Sequence, residues 1–429
     1  MNNATRSWPL LLKSLVIFYV VYCALHIQDS LTRVNFPYLF TWTELFINYS
    51  GGFIRRGLLG QILFYIIPYV SLYYLLVSAY IGLIAALTYI FYRYFSKSFD
   101  RITTLFVLIS PAYFLFHIKD SGVFARKDIL VELFVFISCN IVVSCILKKK
   151  CKLFLATFLI LCMYAAVFLT HEMALFYFPL PFVLLGVAFK RENKLLHWLI
   201  VGAVVVIASL AVGYVFKGTV DQRYAICAAW RQYYPKLSCP GVSSYTDALL
   251  HYTNAFSYIG MGLSDNLKFV TPYYHDAISL SSAAFGAFLA FLPLALICRG
   301  YNSLKNIKDV LASPVLRLFF LVAACAPWIL PLIASDFGRH ISGACLSYLF
   351  FLLSIQRIAP QSCAPWLQKW NTLAETSLRY GLLTIMIALI YGLGWELRYW
   401  VAVGVSLVQP DIMMRILFFR MAGLVNHII

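Results

Sequence analysis

Charge is what this chain has least of. Only 12% of its 429 residues are Asp, Glu, Lys or Arg, and acidic residues are the scarcer, 17 against 34 basic ones. A soluble domain of this length cannot keep a polar surface on so few charges, so that class is excluded. Alternation is missing too. The hydrophobic residues make up 62% of the chain, with a mean hydropathy of +0.82, and they come in continuous runs. A transmembrane barrel would need every second residue apolar, and is excluded. There is no P-loop, no dinucleotide fingerprint, no HExxH pair and no Cys/His spacing that suits zinc. No metal, no cofactor and no nucleophilic triad is expected from the pattern.

What is present is span-length apolar sequence. A helix needs about 20 apolar residues to cross a bilayer, and its backbone groups must be satisfied internally. Runs lie at about 10–27, 70–92, 102–118, 129–147, 153–169, 173–189, 195–216, 277–297, 315–334, 341–356 and 380–400, about 11 in all. The expectation is an all-α polytopic membrane protein, one transmembrane domain over residues 1–429. Alternate breaks are basic: Arg93, Lys97 and Arg101; Lys148, Lys149, Lys150 and Lys152; Lys190, Arg191 and Lys194; Arg299, Lys305, Lys308 and Arg317; Arg357, Lys369 and Arg379. The positive-inside rule puts these loops and the N-terminus in the cytoplasm. The first run follows Arg6 and Lys13 without a small-residue cleavage site and reads as a signal anchor. The net charge of +17 then meets lipid headgroups rather than nucleic acid.

The opposite, outer face is expected to carry 28–69, 119–128, His171-Glu172, the long loop 217–276, 335–340 and the C-terminal tail. Gly57 to Pro68 is too short to span and suits an interfacial or re-entrant helix. The loop 217–276 is rich in Tyr, Ser and Pro and reads as a small cap, with a short helix around Asp247 to Phe256. Ile412 to Val425 reads as an interfacial helix with Arg415 and Arg420 on its polar side. No internal repeat is evident, which disfavours a secondary transporter. Cys227 and Cys239 share the long outer loop and are expected to form a disulfide. The remaining cysteines are expected as small apolar residues or free thiols.

Four polar motifs fall on that outer face. Asn48-Tyr-Ser-Gly-Gly-Phe-Ile-Arg-Arg-Gly57 places Arg55 and Arg56 after a diglycine that can expose N–H groups to an anion. Arginine is suited to bidentate phosphate contacts, whereas the bland reading is snorkelling to headgroups. Lys119-Asp-Ser-Gly-Val-Phe-Ala-Arg-Lys-Asp128 supplies Arg126 for substrate, with Asp128 as a plain helix cap. Glu132, one turn further in, is a functional candidate by its depth, although a cationic partner would explain it structurally. His171-Glu172 sets an imidazole beside a carboxylate where a tight turn would favour Gly, Asn or Pro, which suggests acid–base work. Ser335-Asp-Phe-Gly-Arg-His340 packs Asp336, Arg339 and His340 around one glycine. An exposed Asp336–Arg339 pair would contribute only ~0–1 kcal/mol, so stability explains it poorly. Asp29 and Glu44 are the carboxylates of the first loop and carry a weak signal. Asn48 is a formal glycosylation acceptor.

Together these residues suit a lipid-linked anionic substrate: Arg55, Arg56, Arg126 and Arg339 for its phosphate, and Glu172, His171, Asp336 or His340 for the proton. The layout resembles bacterial O-antigen and capsule repeat-unit polymerases. The strings Gly-Gly-Phe-Ile-Arg-Arg-Gly, Arg-Lys-Asp and Asp-Phe-Gly-Arg also look like those of membrane proteins from polysaccharide clusters. That resemblance implies linkage of polyprenyl-diphosphate-bound repeat units at the periplasmic face, without a metal. Expected partners are the polyprenyl-linked saccharide, membrane lipids and a chain-length regulator protein, with no nucleic acid. A GT-C-type glycosyltransferase, using a single sugar on polyprenyl phosphate, is the alternative and would need Asp29 or Glu44. A transporter or flippase is the alternative of another class; it would need charges along a path through both leaflets.

Overall fold

The computed structural model describes residues 4–33, 36, 40–119, 124, 126–147, 152–237, 239, 255–260, 263–334, 336–398 and 408–409. Asp120, Ser121, Ser335, much of the expected cap and the stretch from Ile412 to Val425 lie outside these residues. The fold is helical throughout, apart from a two-residue antiparallel pairing in which Glu396 faces Gln409 and Leu397 faces Val408.

Among the described residues seven helices are long and apolar enough to cross a membrane: Leu72–Phe95, Asp128–Leu147, Leu153–Thr170, Leu195–Val215, Ala277–Gly300, Pro314–Ile333 and Phe337–Ile358. Pro365–Thr376 and Leu378–Leu393, bent by 113° against each other, make an eighth if counted together. Of the 11 expected runs, 10–27 lies in the unbroken helix Ala4–Arg33, and others break. The run 102–118 stops at Ile109, where Pro111 cannot continue a helix, and resumes only as Phe116–Lys119. The run 173–189 is divided into Ala174–Tyr177 and Pro179–Arg191, with prolines at the start of the second piece. The last run ends at Leu393, ahead of the strand at Glu396. Gly57 to Pro68 does contain a short helix, Leu58–Ile66.

Two helices form the centre. Phe337–Ile358 has 83% of its most apolar stretch buried and Asp128–Leu147 has 61%, against 11% for the peripheral Leu195–Val215. The first of these is the least apolar span, and its Ser342, Ser347, Ser354 and Gln356 are buried against neighbouring helices. Small and polar residues let membrane helices approach closely, so burial here follows packing rather than hydropathy.

The ends of the bundle differ. Gln356 donates to the Ser98 carbonyl, Arg191 to that of Ile146 and the Asp100 N–H to the Tyr301 hydroxyl. Basic breaks that the sequence spaces far apart thus gather at one end. The starts of Asp128–Leu147 and Phe337–Ile358 and the end of Leu153–Thr170 meet at the other.

Candidate functional site

Three helix termini build the site. The starts of Asp128–Leu147 and Phe337–Ile358 carry Arg126, Lys127, Asp128, Asp336, Arg339 and His340. Helix N-termini favour negative charge, which suits Asp128 in the first turn. Leu153–Thr170 ends in His171, whose extended backbone aims the ring across the bundle. Gly338 lets the chain at Arg398 pass against the start of Phe337–Ile358, since a Cβ there would lie 1.8 Å from the Arg398 carbonyl oxygen. A fourth element, the short helix Phe40–Leu45, is pinned by the Trp230 indole donating to the Phe46 carbonyl and by the Ala255 N–H donating to the Thr43 hydroxyl. That anchoring directs Glu44 inward until it is buried.

The inner part is a buried ionic cluster. Arg126 Nη2 lies 3.2 Å from Glu44 Oε2, and its Nε lies 3.4 Å from Asp128 Oδ2. Arg339 reaches Asp336 at 2.9 Å and Asp128 at 3.7 Å. His171 Nε2 sits 3.1 Å from Asp128 and 3.6 Å from Glu44. Its Nδ1 accepts the Met173 N–H at 3.3 Å, which assigns the proton of a neutral ring to Nε2, facing both carboxylates. Burial pushes the His171 imidazole below its ordinary value, against the pull of Asp128, Glu44 and Glu172. Burial also pushes the Glu44 carboxyl up, but Arg126, Lys127 and His171 outweigh it and hold it at about 2. Glu44 is therefore an ionised acceptor with an imidazole N–H trained on it.

These close contacts are poorly aligned as hydrogen bonds. Among the described residues, Glu44 Oε2, both Asp128 oxygens, His171 Nε2, Lys127 Nζ, two nitrogens of Arg339 and both ring nitrogens of His340 are buried without a hydrogen-bond partner. Buried polar groups are nearly always hydrogen-bonded, and leaving one unmade costs about 1–3 kcal/mol. So many at one place are costly to keep, and stability explains them poorly. Burial drops the Lys127 ammonium to about 8, Glu44 opposing the fall and Arg56 adding to it.

The outer part is a cleft lined by Ile47, Ile54, Arg55, Arg56, Lys217 and Ile259 among others. Arg55 is fixed to the end of Leu195–Val215: its N–H donates to the Phe216 carbonyl and its Nη1 to that of Gly213 at 2.9 Å. Arg56 grips both oxygens of Glu172, the Nε bond being 2.6 Å. Burial raises the Glu172 carboxyl, but Arg56 and Arg55 outweigh it and leave it well below its ordinary value. Inner and outer parts touch through His171 Nδ1, 3.9 Å from Glu172.

The four predicted arginines and Glu172, His171 and Asp336 thus meet at one end of the molecule, in two adjoining compartments. His340 stands beside them, in the field of Arg339, Asp128 and His171. Asp128 is no plain cap, since it contacts Arg126, His171 and Arg339. Sequence reasoning undervalued Glu44, passed over Lys127 inside its own motif, and missed Lys217. Lys119 turns away, donating to the Gly392 and Trp395 carbonyls at 3.0 Å. The diglycine serves packing: Gly52 has φ +110, a Cβ on Gly51 would lie 2.7 Å from Gln222, and the Gly52 N–H is committed to the Tyr49 carbonyl. Asn48 is fully buried, its Oδ1 accepting the Ser50 N–H, which leaves no room for a glycan. Cys227 and Cys239 are disulfide-bonded. Cys145 is disulfide-bonded as well, where a free thiol was expected. Among the described residues no group of three or more His, Cys, Asp or Glu side chains is arranged to hold a metal ion.

No protein-family model, no curated protein and no solved structure matches this chain.

Proposed function

We propose that the protein transfers glycosyl groups from a polyprenyl-phosphate- or polyprenyl-diphosphate-linked saccharide at the periplasmic face of a bacterial inner membrane. The observation that carries the reading is the pairing of an arginine-lined cleft with a buried carboxylate–imidazole–arginine cluster at one end of an apolar bundle. Arg55 and Arg56 hold the departing phosphate and stabilise its growing charge. Glu44 or Asp128, oriented by His171, takes the acceptor hydroxyl's proton. Arg126 and Arg339 keep those carboxylates anionic and in place. The basic loops gather at the far end of the bundle, which the positive-inside rule assigns to the cytoplasm.

Repeat-unit polymerisation is the preferred form of this activity, with a chain-length regulator as partner. One observation favours the second form, single-sugar transfer of the GT-C kind: a first-loop carboxylate, Glu44, sits at the cluster's centre. A transporter or flippase is disfavoured because the largest charge cluster lies at one end of the bundle.

Deletion of the gene, read on a gel of surface polysaccharide, separates these forms. Loss of the ladder with single repeat units kept supports polymerisation. A ladder of repeat units lacking one sugar supports the single-sugar transferase. An unchanged ladder of unchanged composition removes both.

A further inference from the structure

We propose that the cleft of Arg55, Arg56 and Lys217 is the seat of the substrate's phosphate or diphosphate, and that Glu172 is the carboxylate this anion displaces on entry. Glu172 is then a positioning counter-ion rather than the proton acceptor. The inference rests on the phosphate-linked donor reading and adds how the anion is admitted.

The first ground is shape. Glu172 presents two oxygens to the Arg56 fork, the same bidentate arrangement that a phosphate presents. It stands on Arg56 at the edge of the cleft, with the two-oxygen geometry a phosphate would offer. The second ground is access. The side chains of Arg55, Arg56 and Glu172 are each about a fifth to a quarter exposed, at 22%, 25% and 20%, whereas those of the inner cluster's Glu44, Arg126 and His171 are at 2% or less. A ligand arriving from outside meets this ion pair first.

The third ground is charge. Three cations border the cleft, and Glu172 pairs closely with one of them, Arg56, its distance to Arg55 being 4.0 Å. Lys217 is exposed and forms no ion pair among the described residues. One carboxylate among three cations leaves the seat with a positive excess that a diphosphate matches better than a carboxylate does. The fourth ground is mechanical. Arg55 is held by two backbone carbonyls, so it keeps its position when Glu172 leaves. Glu172 lies in the turn between Leu153–Thr170 and Ala174–Tyr177, outside either helix, so its side chain can swing without unwinding one. A carboxylate freed there has Lys127 nearby as a second cation.

The test uses the purified full chain in phosphatidylcholine nanodiscs, with inorganic pyrophosphate as probe, binding measured calorimetrically and folding by thermal unfolding. E172Q removes the competing charge and keeps the shape. It should bind pyrophosphate at least about tenfold more tightly than wild type. K217Q should bind it several-fold more weakly, about three- to tenfold. Unchanged or weaker binding by folded E172Q overturns the proposal, because a permanent structural salt bridge predicts that result. Should E172Q fail to fold, E172D keeps the charge but withdraws it by one methylene, and it too must bind more tightly. Repetition in phosphatidylglycerol nanodiscs identifies the source of the phosphate. If bulk anionic lipid abolishes the gain, the seat belongs to headgroups and the proposal falls. Failure of the wider reading looks different: pyrophosphate binding would follow the predicted pattern while deletion of the gene leaves the polysaccharide unchanged.

Discussion

Asp128 and Glu132 lie one turn apart on the same face of one helix, yet the ionic centres they belong to are built on opposite terms. Glu132 meets a single partner. Its Oε2 lies 2.6 Å from His117 Nε2, and the Tyr80 hydroxyl lies 3.4 Å from His117 Nδ1. Neither side chain has a buried polar atom left over. Asp128 meets Arg126, His171 and Arg339 at once, and neither of its oxygens is hydrogen-bonded. A closed pair of that kind ties helices together. An open, over-charged cluster leaves polar groups unsatisfied, and under the proposed function these are the groups that meet the substrate. Both carboxylates are buried on one helix, and they differ in how far their hydrogen bonds are satisfied.

The contrast breaks most sharply under substitution. Glu132→Ala strands His117 in the core, and breaking a buried pair costs about 3–5 kcal/mol. Replacing both partners, His117→Phe with Glu132→Leu, should recover most of that loss and keep polysaccharide synthesis. Arg126→Lys should do the reverse. It keeps the charge, loses the planar fork, and should lower the rate by about 10²–10³ with little change in the unfolding midpoint. If the well-folded apolar double variant is inactive, the Glu132 pair belongs to the chemistry and the contrast is wrong.

Much of this was readable in advance, for identifiable reasons. Most long apolar runs became span-length helices, Ala277–Gly300 even with Pro293 inside it, because hydrocarbon leaves the backbone no alternative. The motifs around Arg55, Arg126, His171 and Asp336 stood out because charge is rare in this chain. Glu44 did not, since Phe-Thr-Trp-Thr-Glu-Leu looks like ordinary interfacial sequence and only the anchoring of Phe46 by Trp230 turns it inward. Lys217 had no motif at all; only its position at the end of Leu195–Val215, beside Arg55, brings it to the cleft. Glu132 was visible, but its partner was hidden in a run expected to span. That run breaks at Pro111 and delivers His117 as part of a four-residue helix.

The two ends of the bundle offer a second comparison. Cys227–Cys239 lies at the site end, on the helix whose Trp230 anchors Phe46. Cys145 lies near the far end of Asp128–Leu147, about 25 Å along the helix at 1.5 Å per residue. The ends of a spanning bundle face different redox compartments, and disulfides persist only in the oxidising one. With the site outside, Cys227 should resist alkylation in intact cells until reduced, while the Cys145 disulfide, facing the reducing compartment, should stand open and let Cys145 react with a membrane-permeant reagent. Cys227→Ser should then cost about 3 kcal/mol, the chain-entropy value for partners separated by 12 residues, and Cys145→Ser almost nothing. The opposite labelling pattern would invert the assigned orientation.

The smallest effects come from pH, and they set activity against stability. His171 has its folded value lowered from 6.5 by burial, so the unfolded chain binds the proton more readily. Stability from this group is complete above 6.5 and is lost as pH falls through the lowered value. Activity follows the same direction, because a second ring proton on Nδ1 would face the Met173 N–H. The loss is at most about tenfold per pH unit, and His171→Gln should flatten it. Lys127 separates the two quantities. Its folded value lies at about 8 against 10.5 unfolded, so between these values the unfolded chain again carries more protons and stability rises with pH. Activity should fall over the same interval, as the site loses a cation that faces Glu44 and Glu172. Lys127→Arg holds its proton throughout and should remove that alkaline limb. A limb that persists unchanged in this variant would show that Lys127 is buried for packing alone.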